Sequence, residues 1–353
     1  MDVTKKEPGK LDFMQPLDNK TPTQEQYNRF YALAKRVFDA EPWERLEESQ
    51  IVAVEGGEVA GCFVSVMGAG GKHFAVAAYS SLTDFKHVMT AGMAASEGDC
   101  GAVFEVPQIQ VSFDSKTQLF PGEREAIAAS GVKFKNGKFP SAQSIALGYF
   151  PWKAGAGEID LLCVALEQLL AILDEGAEIP SVYNDDNDKL ATRVFKDGAW
   201  STVAKRPVEN VQSVSLDIPK QLFDDAANLP TKALHIEADC FVVVAPIGNI
   251  KKGRPVCPRM LMMVDCESGR IIGNALMEPQ NGRTWSVVNA APRLLETFVS
   301  LGFKPESISF ASADTSVWAE PLCESLGIKA TSEPCDKLRY CRAKVMSLLF
   351  GGM

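Results

Sequence analysis

The stretch RMLMMVDCESGRIIG, residues 259–273, decides how the second half of this chain folds. It joins one apolar run, Met260–Val264, to a second run, Arg270–Leu276, through the five residues Asp265–Gly269. Aspartate is favoured where a tight turn begins, and glycine readily adopts the positive φ that such a turn needs. The stretch therefore predicts a β-hairpin with its turn at Asp265–Gly269.

The segments around this hairpin alternate between strand-like and helix-like patterns. The run before it, Leu234–Val244, is predicted as a strand. After it the spacing predicts a helix from Asn289 or Ala290 to Gly302, and then strand 307–312, helix 317–326, strand 328–331 and helix 337–349. The order β-β-β-α-β-α-β-α predicts an α/β domain over residues 231–353. It resembles the order of the ribonuclease H-like fold, whose sheet carries catalytic carboxylates at its strand ends.

The first half of the chain is less regular. Mixed strands and helices without repeated βαβ units predict an α+β domain over residues 23–205, with Thr23 as the N-cap of its first helix. Residues 1–22 are polar and without periodicity, and they are predicted to form a mobile arm. Residues 206–230 contain Pro207, Pro219 and Pro230 among polar residues, and they are predicted to be a linker.

Composition argues against several classes of protein. The 353 residues are 46% hydrophobic and 23% charged, values that argue against a disordered chain or a coiled coil. No run approaches the roughly 18 consecutive apolar residues of a membrane span, and the first residues lack the apolar core of a signal peptide. The nine cysteines are odd in number and form no CxxC pair. We therefore expect a soluble, cytoplasmic protein with no membrane partner.

Charge is unevenly distributed along the chain. The net charge of −9 divides into +2 for residues 231–353 and −11 for the remainder. Neither part has the strongly basic character of a dedicated nucleic-acid-binding protein, so a protein partner is favoured over nucleic acid. The candidate basic face is restricted to the second half and comprises Lys251, Lys252, Arg254, Arg259, Lys337, Arg339, Arg342 and Lys344.

Two short groups of motifs resemble paired bacterial families of unknown function. In the second half, residues 259–273 followed by Pro305–Phe310 are similar to one such family. In the first half, Val66–Gly68, Tyr79 and Gly148–Trp152 are similar to a family that accompanies it. The resemblance covers most of residues 40–350, and it implies no activity or site residues.

A more distant resemblance links the second half to the integrase core of transposases. The strand-turn-strand at residues 263–270 is similar to that core's second and third strands. The resemblance implies catalytic aspartates at Asp239 and Asp314. The third acid would be Glu333 or Asp336, only 19 or 22 residues after Asp314, which is short for that family.

These positions define the candidate catalytic residues. Two-metal hydrolysis requires several carboxylates that converge from separate elements. Asp239, Glu296, Asp314 and Asp336 are the candidates, with Asp239 and Asp314 as metal ligands for Mg²⁺ or Mn²⁺. The alternative is structural, with Asp314 and Asp336 capping helices and Glu296 at a solvated helix position.

The leading functional hypothesis is a bacterial-type binding or interaction protein on a degenerate ribonuclease H-like scaffold, with no cofactor and an unknown partner. It follows from strong structural patterning without a complete catalytic constellation. The alternative hypothesis is a divalent-metal-dependent nuclease or phosphoryl-transfer enzyme that uses the four carboxylates. Whether the chain is an enzyme stays open at this point.

Overall fold

The computed structural model describes residues 20–57, 59–71, 73–96, 104, 106–135, 137–184, 188–207, 216, 218–245, 247–248, 253–277, 285–331 and 333–350. Most of the predicted mobile arm, residues 1–19, lies outside this part of the chain. Contacts divide the chain into two compact units. The first comprises residues 1–93, 106–146 and 151–211, and the second comprises 94–105, 147–150 and 212–353.

The first unit is built on an eight-stranded sheet. Its strands are β1 (Val52–Gly56), β2 (Val59–Met67), β3 (Ala75–Tyr79), β4 (Gln108–Asp114), β5 (Phe139–Ile145), β6 (Trp152–Lys153), β7 (Leu190–Lys196) and β8 (Ala199–Lys205). They lie in the order β6-β5-β4-β3-β2-β1-β7-β8. Neighbouring strands are antiparallel except for β1 and β7, which are parallel. A mostly antiparallel sheet with added helices agrees with the α+β domain predicted for this half.

The helices of the first unit are α1 (Gln24–Ala40), α2 (Leu82–Ser96), α3 (Glu123–Ser130) and α4 (Ala156–Asp174). The predicted cap of α1 is confirmed, because the Thr23 hydroxyl accepts from the backbone N–H of Gln26 and the Gln26 side chain accepts from that of Thr23. This reciprocal pairing satisfies two amide groups that a helix start leaves without partners. The apolar residues of α1 and α4 share the main core with alternate residues of the central strands.

The described residues of the second unit form a five-stranded sheet and four helices. The strands are β9 (Thr231–Val242), β10 (Arg259–Asp265), β11 (Ile271–Met277), β12 (Lys304–Phe310) and β13 (Lys329–Thr331). The helices are α5 (Lys220–Ala227), α6 (Trp285–Leu301), α7 (Ala313–Ser325) and α8 (Asp336–Phe350). From β9 onward the elements follow the order β-β-β-α-β-α-β-α that the sequence predicted. No described helix of the chain is long and apolar enough to cross a membrane.

The sheet of the second unit has the order β11-β10-β9-β12-β13. Strands β9, β10 and β11 are successively antiparallel, whereas β12 runs parallel to both β9 and β13. The segment 206–230, predicted as a linker, contains α5, and Ala226 of that helix is fully buried in the core of the unit.

The predicted hairpin between β10 and β11 is confirmed in its details. The Asp265 carboxylate accepts from the backbone N–H of Glu267 at 3.0 Å and from the Ser268 hydroxyl at 2.5 Å. The Ser268 hydrogen bond is the main reason that the pKa of Asp265 lies below its usual value. Gly269 closes the turn at a φ of 66° and donates its N–H to the carbonyl of Asp265.

The two faces of this sheet have different neighbours. Ile236, Ala238 and Cys240 of β9 belong to a core that includes buried residues of α6 and α7. Phe241 belongs to a smaller core with residues of α8, such as Leu338. Since successive side chains of a strand point to opposite faces, α6 and α7 cover one face and α8 covers the other.

The core of the first unit offers a test of its stability. Leu166 of α4 is fully buried, so Leu166→Ala removes apolar contacts and leaves a cavity. We expect the free energy of unfolding to fall by about 2–5 kcal/mol, measured by urea denaturation of the full chain. Leu348→Ala, at a position exposed to solvent, is the control and should change it by less than about 0.5 kcal/mol. Equal effects of the two substitutions would contradict this packing.

Candidate functional site

A row of polar side chains runs along one face of β9 in the second unit. His235, Glu237 and Asp239 are two residues apart, so they point to the same side of the sheet. This is the side covered by α8, since Phe241 continues the same row. Three titratable side chains in the middle of a buried strand need specific partners, because an unpaired polar group there is costly.

Asp239 is 2% exposed and is bound to the start of α7. Its Oδ1 accepts hydrogen bonds from the Ser312 hydroxyl at 2.6 Å and the Thr315 hydroxyl at 2.8 Å. Ser312 is also the N-cap of α7, and it accepts from the backbone N–H of Thr315. The Asp239 carboxylate therefore fixes the first turn of this helix against β9.

Glu237 is 4% exposed and is bound to the start of α8. Its Oε2 accepts from the backbone N–H of Leu338 at 2.5 Å, and its Oε1 lies 3.6 Å from the Cys266 thiol. A carboxylate at this position is favoured by the partial positive charge of a helix N-terminus. Burial, together with the Glu237 charge, raises the pKa of Cys266 to about 12. The thiol therefore stays protonated and donates a hydrogen bond to Glu237 Oε1.

His235 connects β9 to hydroxyl groups on the neighbouring strands. Its Nδ1 lies 2.7 Å from the Ser307 hydroxyl, and its Nε2 lies 3.2 Å from that of Ser309. Ser309 is in turn 2.6 Å from the Thr331 hydroxyl on β13. The Glu333 carboxylate lies 3.6 Å from the same Nε2. The row thus links three adjacent strands through side chains as well as through the backbone.

Two of the other predicted catalytic residues, Glu296 and Asp336, pair with arginines outside this row. Glu296 is on the exposed side of α6 and pairs with Arg293 at 2.6 Å, and α6 covers the opposite face of the sheet from Asp239. Asp336 is the first residue of α8, is well exposed, and lies 3.6 Å from Arg339. Asp314 lies in the first turn of α7, but its side chain is outside the described part of the chain.

The arrangement favours a structural use of the two strand carboxylates. Two-metal hydrolysis requires carboxylate oxygens that remain available to the ions, whereas Asp239 and Glu237 bind the starts of two helices. Among the described residues, no group of three or more His, Cys, Asp or Glu side chains is arranged to hold a metal ion. The cluster of Asp239, Glu296, Asp314 and Asp336 stays a prediction, since the Asp314 carboxylate lies outside the description.

The sequence reasoning overlooked Glu237, although a signal was present. Residues 235–239 read His-Ile-Glu-Ala-Asp, a period-two alternation of polar and apolar residues inside an otherwise apolar run. This pattern is typical of a strand with one polar face. Asp239 is thus one of three polar residues on the same face of β9.

A second overlooked carboxyl group lies in the first unit. Glu123, at the start of α3, is 4% exposed and accepts from the Ser141 hydroxyl and from the backbone N–H groups of Phe120 and Ala142 at 2.7–3.0 Å. Burial, with a smaller contribution from the nearby charge of Asp114, raises the pKa of Glu123 to about 7 against the lowering effect of these hydrogen bonds. The group therefore changes protonation near neutral pH.

Comparisons with known proteins match one segment in each half of the chain to a family model. Residues 27–193 match a family described as Domain of unknown function (DUF7309), and residues 223–338 match one described as Domain of unknown function (DUF6930). The expectation of paired families of unknown function, one in each half, is confirmed. No curated protein and no solved structure matches the chain. Neither family description names an activity, a ribonuclease H-like fold or an integrase.

The role of Asp239 can be tested by stability. Asp239→Ala leaves the Ser312 and Thr315 hydroxyls without their buried acceptor, and we expect it to lower the free energy of unfolding by about 3 kcal/mol. Asp239→Asn keeps a carbonyl acceptor and should cost less. Chemical denaturation measures both variants, with Asp336→Ala at an exposed position as the control. A loss below about 0.5 kcal/mol for Asp239→Ala would refute the anchoring role.

The role of Glu123 can be tested by the pH dependence of stability. A carboxyl whose pKa is raised in the folded state binds its proton more tightly than in the unfolded chain, so its contribution to stability falls as the pH rises from about 4.5 to about 7. Replacement by glutamine removes this titration. Between pH 5 and pH 8 the unfolding free energy of Glu123→Gln should rise relative to that of the wild type by about 1–3 kcal/mol.

Urea denaturation at several pH values measures this difference. The matched control is Glu125→Gln, at an exposed position of the same helix, whose stability should follow the wild type across the range. A pH profile for Glu123→Gln that parallels the wild type would show that Glu123 does not titrate near neutral pH.

Proposed function

We propose that this chain, with its two matched domains of unknown function, is a binding or interaction protein on a degenerate ribonuclease H-like scaffold. The observation that carries the proposal is the environment of Asp239, whose Oδ1 accepts from two hydroxyls in a site that is 2% exposed. The element order of the second unit supports the scaffold, since it agrees with the order expected for that fold.

The chemistry of the strand carboxylates supports a role without catalysis. A metal competes for carboxylate oxygens that accept hydrogen bonds, and here those bonds come from the first turns of α7 and α8. A metal that displaced the hydroxyls of Ser312 and Thr315 from Asp239 Oδ1 would leave them unsatisfied, at a cost of about 1–3 kcal/mol for each buried group. This cost counts against the alternative, a divalent-metal-dependent nuclease or phosphoryl-transfer enzyme.

Three arginines of the predicted basic face favour a protein partner over nucleic acid. Arg254 donates to the carbonyl of Phe150, Arg259 donates to the carbonyl of Cys240, and Arg342 lies over the ring of Phe241 at 4.4 Å. These arginines contact their own unit, which reduces the basic face available for phosphates. Lys251 and Lys252 of the predicted face lie outside the described residues.

A cytoplasmic location is part of the same proposal. Seven of the eight described cysteines are buried as free thiols, and burial raises the pKa of Cys62 to about 12. Buried cysteines of this kind behave as small apolar core residues. Free thiols suit the reducing conditions of that compartment.

The proposal is tested by calorimetric titration of Mn²⁺ into the full-length protein and its Asp314→Asn variant. We expect no saturable heat that depends on Asp314, because the described carboxylates are engaged in structural hydrogen bonds. Saturable binding that Asp314→Asn abolishes, together with Mn²⁺-dependent cleavage of single- or double-stranded nucleic acid, would overturn the proposal and establish the nuclease alternative.

A further inference from the structure

A serine, a histidine and a glutamate meet at one end of the polar row on β9. The Ser307 hydroxyl on β12 lies 2.7 Å from Nδ1 of His235. The Glu333 carboxylate, in the segment that follows β13, lies 3.6 Å from Nε2 of the same ring. A hydroxyl beside one imidazole nitrogen and a carboxylate beside the other are the groups of a serine nucleophile with its general base. The second unit therefore contains the elements of a serine-based catalytic site.

Ser309 favours the tautomer of His235 that a general base requires. Its hydroxyl is fully buried and lies 3.2 Å from Nε2 and 2.6 Å from the Thr331 hydroxyl. A hydroxyl has a single proton, so when Ser309 donates to Thr331 it accepts from an N–H at Nε2. Nδ1 is then the unprotonated nitrogen and accepts from Ser307. In this assignment each hydrogen bond has one donor and one acceptor, and His235 can take the Ser307 proton.

This end of the polar row is open to solvent. The His235 side chain is 22% exposed, that of Glu333 is 67% exposed, and Ser307 is half-buried. Asp239 and Glu237, in the same row, are almost completely buried. A small molecule can therefore approach Ser307 and His235, whereas the two strand carboxylates are enclosed by the protein.

The neighbours of Ser307 indicate the class of substrate. Lys329 of β13 is paired with Ser307 in the sheet and is exposed, and Thr331 is paired with Ser309. The lysine places positive charge beside the position where the carbonyl oxygen of an ester gains negative charge during attack by Ser307. Because these neighbours are polar, they suit an ester with a short acyl group rather than a long hydrocarbon chain.

We propose that Ser307 is the nucleophile, and His235 the general base, of an activity toward carboxylic esters with short acyl groups. Ser307 Oγ bonds to the carbonyl carbon while its proton passes to Nδ1 of His235, and the Glu333 carboxylate stabilises the imidazolium. The carbonyl bond re-forms as the alcohol leaves with the proton from His235, and an acyl ester of Ser307 remains. Water attacks this ester, His235 transfers the water proton to Ser307 Oγ, and the carboxylic acid is released.

The test treats the full-length protein with an alkyl fluorophosphonate, a reagent for serines activated in this way. Ser307 Oγ displaces fluoride from phosphorus, and the hydroxyl proton passes to His235. We expect a single phosphonyl group per chain, and peptide mapping by mass spectrometry should place it on Ser307. The protein should also hydrolyse 4-nitrophenyl acetate, which is followed by the release of 4-nitrophenolate.

Substitutions separate the two roles. Ser307→Ala and His235→Gln should each slow ester hydrolysis at least about 100-fold, and His235→Gln should slow labelling by the same factor. Ser325→Ala, at an exposed position on α7, and His73→Gln, at an exposed position in the first unit, are the matched controls and should react as the wild type does. Thermal melting of each variant confirms that it is folded.

A wild type that the fluorophosphonate does not label at Ser307 overturns the proposal, and this result depends on no variant. Hydrolysis by Ser307→Ala, or labelling of His235→Gln, at the wild-type rate overturns it as well. The activity goes beyond the binding role proposed above and does not use Asp239. Mn²⁺ binding that depends on Asp314 would therefore refute the proposed function and leave the reaction at Ser307 unaffected.

Discussion

The second unit depends on two buried carboxylates of one central strand. Asp239 and Glu237 of β9 are almost completely buried, and each accepts a hydrogen bond at the start of a different helix. Burying a carboxylate is costly unless hydrogen bonds replace its hydration, and the helix starts supply groups that themselves need partners. The two requirements satisfy each other. This exchange fixes the first turns of α7 and α8 against β9.

The hydrogen bonds between the β9 carboxylates and the two helix starts also relate the fold to the proposed function. A strand with polar residues at alternate positions is the feature from which a carboxylate-based active site is built, and it is also the feature that fixes helices to a sheet. In this chain Asp239 Oδ1 accepts hydrogen bonds from the hydroxyls of Ser312 and Thr315, which is the structural use.

Much of the fold could be predicted from local sequence. The hairpin at Asp265–Gly269 and the element order of the second unit follow from turn chemistry and from periodicity, which act over a few residues. The candidate site was harder to predict from the sequence, because the residues that it brings together are distant in the chain. Glu237 and Leu338 are 101 residues apart, and no local pattern pairs them. The position of Glu296 on the far side of the sheet likewise depends on which face α6 covers, which spacing alone does not determine.

The long separation of these partners has a consequence for synthesis of the chain on the ribosome. β9 emerges well before β12, its parallel neighbour, and before α8, so Glu237 and His235 must stay hydrated until later segments arrive. Contacts between residues so far apart in the chain slow folding, because the entropy cost of closing a large loop precedes the stabilisation that the contact gives. Because one face of β9 is polar, the partly formed sheet does not expose a wholly apolar surface before the later segments arrive. The residues that hold the finished unit together thus also reduce the exposure of the nascent chain to aggregation.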